Sequence, residues 1–151
     1  MGVRSQDGQD DIIAALNEAL RAELKAVKMY AAHARAVADP RIAQGLRAIL
    51  EVERTHARAL ALRIQALGGQ PTADESVAEL PLTVPTRDPA RVADMLRLDL
   101  GDEQWAIKHY AATIADALLY GDDATLAMLE ENLIDELRHA RWLRDQLRPL
   151  A

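Results

Sequence analysis

Two short patterns in the sequence could do chemistry: Glu53-Arg54-Thr55-His56 and Glu136-Leu137-Arg138-His139. In each, a carboxylate and an imidazole stand three residues apart, a spacing that puts both on one face of a helix. Two further glutamates, Glu23 and Glu103, sit among apolar residues at helical spacing. Four glutamates and two histidines make the ligand set of a carboxylate-bridged dinuclear metal site, with one Glu from each of two helices and Glu-x-x-His from each of two others. Hard carboxylate oxygens with imidazole nitrogens suit iron or manganese. The chain has no cysteine, so thiolate zinc sites, iron–sulfur clusters, disulfides and cysteine nucleophiles are excluded together. Four ordinary surface glutamates on a misjudged helical phase are the competing reading.

The rest of the sequence must supply four helices to position these groups. It holds 151 residues, enough for one domain with its own core, and half are hydrophobic, dominated by 29 Ala and 22 Leu. Both types lead the helix scale, whereas strand-favouring residues are scarce, with no Phe and only two Trp and three Tyr. The expected class is all-α. Asp39-Pro40 and Asp88-Pro89 are helix starts, an N-cap acid before a proline at the first helical position. Gly68-Gly69 before Pro71 is a stop, Gly121-Asp122-Asp123 a stop and restart, and Pro149 the last breaker. Helices are expected at about 10–38, 40–68, 89–120 and 123–148, with a polar, proline-containing crossover at 69–88.

Each helix carries a 4-3-4-3 stripe with a glutamate near its middle. The stripes are Leu16, Leu20, Glu23, Val27, Tyr30 and Ala34, then Ile42, Leu46, Ile49, Glu53, His56 and Leu60. The third is Val92, Leu96, Leu100, Glu103, Ile107, Tyr110 and Ile114, and the fourth Leu126, Leu129, Leu133, Glu136, Ala140, Leu143 and Leu147. This is bundle patterning. A lone carboxylate on such a stripe is costly, because burial penalises an unpaired charge or forces protonation. Two divalent ions would neutralise four carboxylates. An internal repeat supports the phase. Glu23 with Tyr30-Ala31-Ala32 recurs as Glu103 with Tyr110-Ala111-Ala112, and Glu53-x-x-His56-Ala57-Arg58 recurs as Glu136-x-x-His139-Ala140-Arg141. Two hairpins related by a pseudo-twofold axis would bring the acids to that axis, with Glu23, Glu53 and His56 on one metal and Glu103, Glu136 and His139 on the other. Glu53 and Glu136 would bridge. A 28-residue helix is about 42 Å long, and twenty extended residues reach roughly 66 Å. The crossover can therefore run the length of the bundle and set the third helix parallel to the second.

Charge and patterning narrow the partners. With 18 basic and 24 acidic residues the net charge is −6, which does not suit non-specific nucleic-acid binding. No apolar run approaches a membrane span, and residues 1–10 lack the apolar core of a secretory signal. A cytoplasmic location without membrane or nucleic-acid partners is the expectation.

The residues around these glutamates resemble the ferritin-like superfamily, and bacterioferritin within it. The segment Ala22-Glu23-Leu24-Lys25-Ala26-Val27-Lys28-Met29-Tyr30 with His33 is similar to the bacterioferritin pattern around its first iron ligand. Met95-Leu96-Arg97-Leu98-Asp99-Leu100 before Glu103, and Ile134-Asp135-Glu136-Leu137-Arg138-His139 before Trp142-Leu143, are similar to that family's third and fourth helices. The resemblance spans residues 10–148 and implies a ferritin-like four-helix bundle, two antiparallel hairpins joined by one long crossover. It implies two iron ions per chain, with manganese or zinc as substitutes, held by Glu23, Glu53, His56, Glu103, Glu136 and His139. It implies ferroxidase chemistry on Fe(II) with O₂ or peroxide, for iron detoxification or storage, in a homo-oligomer that is a dimer or larger. Tyr30 and Tyr110, two turns after a ligand glutamate, would serve as hydrogen-bond or one-electron donors, with amphipathic core filling as the alternative. Asp99 and Asp135 read first as helix-surface acids, and alternatively as orienting the histidines. His33 and His109, with no Glu three residues earlier, read as helix-surface or partly buried residues that bind no metal.

The sequence also departs from that family. Arg54 stands where bacterioferritins carry the haem-ligating methionine, so haem is not expected. Val52 and Ala48 replace further iron ligands that some members place on an inner surface. No residues after Ala151 supply a fifth helix, so a 24-subunit shell is not assumed. Two other functions use the same residues: a di-iron peroxidase or oxygenase acting on another substrate, or a non-catalytic metal-binding protein. A pocket set by Ala26, Ala31, Ala32, Ala111 and Ala112 would favour the enzyme with another substrate.

Overall fold

The computed structural model describes residues 5–73 and 84–150, and these form four long helices and a terminal 3₁₀ turn. They are α1 (Gln6–Ala36), α2 (Pro40–Ala66), α3 (Pro89–Tyr120) and α4 (Asp123–Leu147), followed by the turn Arg148–Leu150. Capping explains the boundaries. The side chains of Ser5, Asp39, Asp88 and Asp122 accept from the backbone N–H of Gly8, Arg41, Ala90 and Thr125 respectively. Pro40 and Pro89 occupy the first turn, where no amide donor is needed. Gly121 ends α3 in the left-handed conformation at φ 78°, which a side chain would strain. Because Ser5 caps it, α1 starts about four residues earlier than the position of Asp10 and the first apolar residues indicate.

Three long-range contacts set the helix directions. Gln9, at the start of α1, donates to the carbonyl of Leu67 at the end of α2, so those helices are antiparallel. The Tyr120 hydroxyl at the end of α3 donates to the Gln9 side chain, making α1 and α3 antiparallel as well. At the opposite end, Thr86 donates to the Ala36 carbonyl at 2.8 Å and accepts from Ala38 at 2.9 Å. The chain leaves α2 at one end of the bundle and enters α3 from the other, which is the one-crossover topology. The beginning of the crossover runs back along α1, where the Asn17 side chain bonds the backbone of Gln70 and Thr72. Residues 74–83, including Pro81, lie outside the described residues.

The apolar core is divided. One cluster is built on Ile12, Leu16, Leu20, Leu60, Ile64 and Leu129, near the α1 N-terminus and α2 C-terminus. The other is built on Tyr30, Ile42, Leu46, Ile49, Leu96 and Leu143, at the far end. The four stripe glutamates separate the two. On α3 and α4 the buried face is rotated from the one hydrophobicity suggests. Leu100, Ile107, Ile114, Leu126 and Leu133 are only half-buried, whereas Asp99, Thr113, Thr125 and Asn132 are buried. Each of these polar groups has a partner inside, which is what makes its burial tolerable. Asp99 pairs with His33, Asn132 donates to the Tyr110 hydroxyl, Thr113 donates to the His109 carbonyl, and Thr125 bonds Asp122. Between α2 and α4 the Trp142 indole packs directly onto the backbone at Gly45. A Cβ there would lie 2.0 Å from Cζ2 of Trp142, so the indole occupies the space a side chain would need.

Candidate metal centre

All six residues that the spacing singles out converge midway along the bundle. Glu53 is 0 % exposed, His56 1 %, and Glu23, Glu103 and Glu136 are likewise buried. The Nδ1 atom of His56 lies 3.4 Å from Glu23, 3.2 Å from Glu53 and 3.1 Å from Glu136. The Nδ1 atom of His139 lies 3.2 Å from Glu53, 3.4 Å from Glu103 and 3.6 Å from Glu136. The two rings face each other with centroids 6.3 Å apart. Two overlapping sets result, Glu23–Glu53–His56–Glu136 and Glu53–Glu103–Glu136–His139, and in each set the donor atoms lie within 4.8 Å of one another. Glu53 and Glu136 belong to both. This division is the one the internal repeat implies, with one terminal glutamate and one histidine per half and two shared carboxylates.

The donor atoms are unsatisfied by the protein itself. Both oxygens of Glu53, one each of Glu103 and Glu136, and the Nδ1 atoms of both histidines are buried without a hydrogen-bond partner among the described residues. Six orphaned polar atoms in one place are too costly to be accidental, since each carries a desolvation penalty of about 1–3 kcal/mol. Donors bound to one ion at about 2.0–2.2 Å stand roughly 3.0–3.6 Å apart at right or tetrahedral angles. The observed nitrogen–oxygen separations match that range. The residues therefore fit a pair of metal ions.

Protons compensate the acids when no metal does. Burial, with Glu53 adding to it, pushes Glu23 up to about 8 against the opposing pull of His56. Burial raises Glu103 to about 7, again against its histidine, here His139. Glu136 is raised by burial, with His139 and His56 opposing. For the histidines, burial alone would lower the pKa. The surrounding carboxylates outweigh it, Glu136, Glu23 and Glu53 raising His56 strongly and Glu103, Glu136 and Glu53 holding His139 up at about 11.

The tyrosines bond across the bundle. Tyr30 donates to Glu103 and Tyr110 to Glu23, both at 2.6 Å. Seven residues along one helix is about 10 Å, too far for either to reach the glutamate of its own repeat. The antiparallel α1–α3 pair brings it opposite the other repeat's glutamate instead. Burial and the adjacent carboxylates raise both phenols well above their ordinary value, so each stays protonated and able to donate.

The remaining polar residues divide differently from their sequence readings. Asp135 accepts from Nε2 of His56 at 2.9 Å, fixing that ring so that Nδ1 points at the carboxylates. Asp99 is neither a surface acid nor a partner of a site histidine. It is 1 % exposed and pairs through both oxygens with Nδ1 of His33, which is buried with it. His109 is half-buried, donates through Nε2 to the Ala15 carbonyl at 2.8 Å, and stacks on Trp105 with ring centroids 4.8 Å apart. No signal in the one-dimensional pattern marked the His33–Asp99 pair, because the two residues are 66 apart on different helices. A cavity of about 830 Å³ opens between α1 and α3 onto the centre. Ala26 lines it as expected, but the other small residues are Ala22, Ala73, Gly101 and Ala106, and Ala31, Ala32, Ala111 and Ala112 are not in its lining.

Four antiparallel-paired helices with one crossover and a buried Glu₄His₂ cluster define a di-iron-carboxylate type of bundle. A model of the ferritin-like domain matches residues 13–151, and the chain belongs to the ferritin-like family. No curated protein matches it. Among solved structures it is similar to a ferritin-like diiron-carboxylate protein of Bacillus anthracis, at 27 % identity over 95 % of this chain and 100 % of that one, TM-score 0.80. It is similar to Rhodobacter capsulatus bacterioferritin, at 29 % identity over 91 % and 84 %, TM-score 0.76. It is also similar to the dodecameric bacterioferritin-related protein of Bacteroides fragilis, at 26 % identity over 94 % and 87 %, TM-score 0.79. Among the described residues no helix is long and apolar enough to cross a membrane.

Proposed function

We propose that this chain is a ferroxidase-type di-iron protein that takes up Fe(II) and oxidises it with O₂ or peroxide, in the service of iron detoxification or storage. The carrying observation is the pair of donor sets that share Glu53 and Glu136 and hold orphaned buried atoms. Glu23, Glu53, His56 and Glu136 would hold one iron, and Glu53, Glu103, Glu136 and His139 the other. Bound there, two irons supply one-electron redox chemistry at adjacent positions. The carboxylates neutralise the incoming charge and give up their protons as they do so. Asp135 keeps the His56 ring oriented, and Tyr30 and Tyr110 steady Glu103 and Glu23 by donating to them. Manganese or zinc would occupy the same donors without that redox step at comparable rate. A homo-oligomer is part of this reading, supported by the dodecameric relative, and a cytoplasmic location is carried over from the sequence expectation.

The test is to titrate anaerobic apo-protein with Fe(II), admit air or peroxide, and follow ferric absorbance together with particle size. Saturation of the anaerobic Fe(II) binding at two irons per chain, lost in Glu53→Ala and Glu136→Ala, supports the proposal. Saturation at another number, or unchanged behaviour in those variants, refutes it. A dimer rather than a shell would leave catalysis and remove storage. One observation favours an enzyme acting on another molecule: the cavity beside the centre is far larger than iron or oxygen requires.

A further inference from the structure

The internal repeat isolates one buried pair. The shift that takes Glu23 to Glu103 and Tyr30 to Tyr110 also takes Ala19 to Asp99 and His33 to Thr113. Ala19, His33, Asp99 and Thr113 are all buried. In one half these positions hold an alanine and a threonine whose hydroxyl bonds the His109 carbonyl on its own helix. In the other they hold a carboxylate and an imidazole, with Nδ1 of His33 at 2.9 and 2.8 Å from the two oxygens of Asp99. Taking two ionisable groups out of water is costly, and apolar residues of similar volume often hold a core equally well. Ala19 and Thr113 show that the packing of this bundle needs no such pair.

The pair reaches from the centre toward solvent. Tyr30 with Glu103 and His33 with Asp99 form consecutive rungs between α1 and α3. The rungs are three residues apart on α1 and four on α3, so their side chains are neighbours on each helix. Asp99 bonds only His33, yet it shares the wall of the cavity beside the centre with Glu53, Glu103 and Glu136. Acidic walls around about 830 Å³ make a space for water, which takes roughly 30 Å³ a molecule. At the other end of the pair, Nε2 of His33 bonds no described residue. It is not among the buried unpartnered atoms either, so it meets solvent. Burial holds the Asp99 carboxyl above its usual range against the pull of His33, and Asp102 adds to the rise. A carboxyl so placed can take a proton from the ring and give it up again.

We propose that His33 and Asp99 deliver the protons consumed when peroxide is reduced at the centre, a step that rests on the ferroxidase reading above. Reduction of one hydrogen peroxide to two waters breaks the O–O bond and forms two O–H bonds. It takes two electrons, one from each of two Fe(II), and two protons. A solvent proton adds to Nε2 of His33 as the Nδ1 proton passes to an Asp99 oxygen. Asp99 then hands that proton on through water in the cavity. The ring, left with its proton at Nε2, regains the Nδ1 form by exchange with solvent before the second pass. The pair belongs to the Glu103 side alone, because the equivalent Ala19 and Thr113 cannot carry a proton across.

The test uses the full chain, loaded anaerobically with Fe(II) and mixed rapidly with hydrogen peroxide. The double variant His33→Thr with Asp99→Ala installs residues that the fold already accommodates at the equivalent positions. Asp99→Asn, which keeps an acceptor for Nδ1, is the second variant. Both should oxidise Fe(II) about a hundredfold more slowly, the low end of what a positioned proton donor supplies. The solvent deuterium isotope effect should grow as proton arrival becomes limiting, and added imidazole should restore part of the rate in the double variant. Anaerobic binding of two Fe(II) per chain should be unchanged. In the zinc-loaded chain, which oxidises nothing, NMR should find the His33 Nδ1 proton exchanging with water without unfolding. Three results would each overturn the proposal and leave the ferroxidase reading standing: an unchanged rate, a slower rate with neither a larger isotope effect nor imidazole rescue, or an Nδ1 proton that exchanges only on unfolding. Oxidation by air but not by peroxide would do the same. Bound Fe(II) that neither air nor peroxide oxidises would overturn both.

Discussion

Loading the metal-free protein with zinc(II) at pH 7 should release between three and four protons per chain. With Glu23 near 8 and Glu103 near 7, about nine-tenths of the first and about half of the second are protonated at pH 7. His139 near 11 and His56, also strongly raised, each carry a full proton, and burial of Glu136 acts in the same direction. All must be deprotonated to bind a metal. The product of the two binding constants should therefore rise by about three to four decades per pH unit around neutrality. Calorimetry in phosphate and in Tris, whose protonation enthalpies differ, reads the proton count directly. The same protons set the stability of the metal-free fold. Folded values raised above the ordinary 4.5 of Glu and 6.5 of His contribute stability that is complete below those values and is lost as pH climbs through about 8 and then 11. The metal-free thermal midpoint should fall between pH 6 and 9, and zinc should flatten that fall. Release of two protons or fewer, or a metal-free midpoint that rises with pH, would refute the electrostatic account of the centre.

Asp135→Asn removes the acceptor that orients His56 and should weaken the first of the two metals about 10–100-fold, leaving the His139 half tight, as a two-phase cobalt titration would reveal. Tyr30→Phe and Tyr110→Phe should retain two metals per chain but leave a buried glutamate oxygen without its donor, lowering metal-free stability by about 1–3 kcal/mol in denaturant titrations. His33→Ala strands Asp99 in the core and should cost about 3–5 kcal/mol, with zinc stoichiometry by mass spectrometry unchanged. Gly45→Ala drives a methyl into the Trp142 indole; despite the better helix propensity of alanine it should cost about 1–3 kcal/mol net of overpacking, checked by thermal unfolding and by a shift in tryptophan emission.

Much of the centre was legible because its signals are local. A Glu-x-x-His pair needs only one turn of helix to share a face, and cap residues act on amides two or three positions away. So the four helices, the two Glu-x-x-His pairs and the assignment of Glu53 and Glu136 to both halves follow from spacing and repeat. The buried faces of α3 and α4 did not. Hydrophobicity points inward at Leu100, Ile107 and Leu133, yet Asp99 and Asn132 are the residues buried, because partners on other helices satisfy them.

By itself the sequence determined an all-α bundle, an acid at the middle of every helix, and a donor set of carboxylate and imidazole without sulfur. Only the tertiary structure decided who touches whom across the bundle. It pairs Tyr30 with Glu103 and Tyr110 with Glu23, sends Asp135 to His56 and Asp99 to His33, and opens a cavity at Ala22, Gly101 and Ala106 rather than at the alanines beside the tyrosines. The physical reason is that helix periodicity dictates a face within one helix. The relative rotation and level of neighbouring helices depend on contacts between residues 66 to 87 positions apart, such as His33–Asp99 and Tyr110–Glu23.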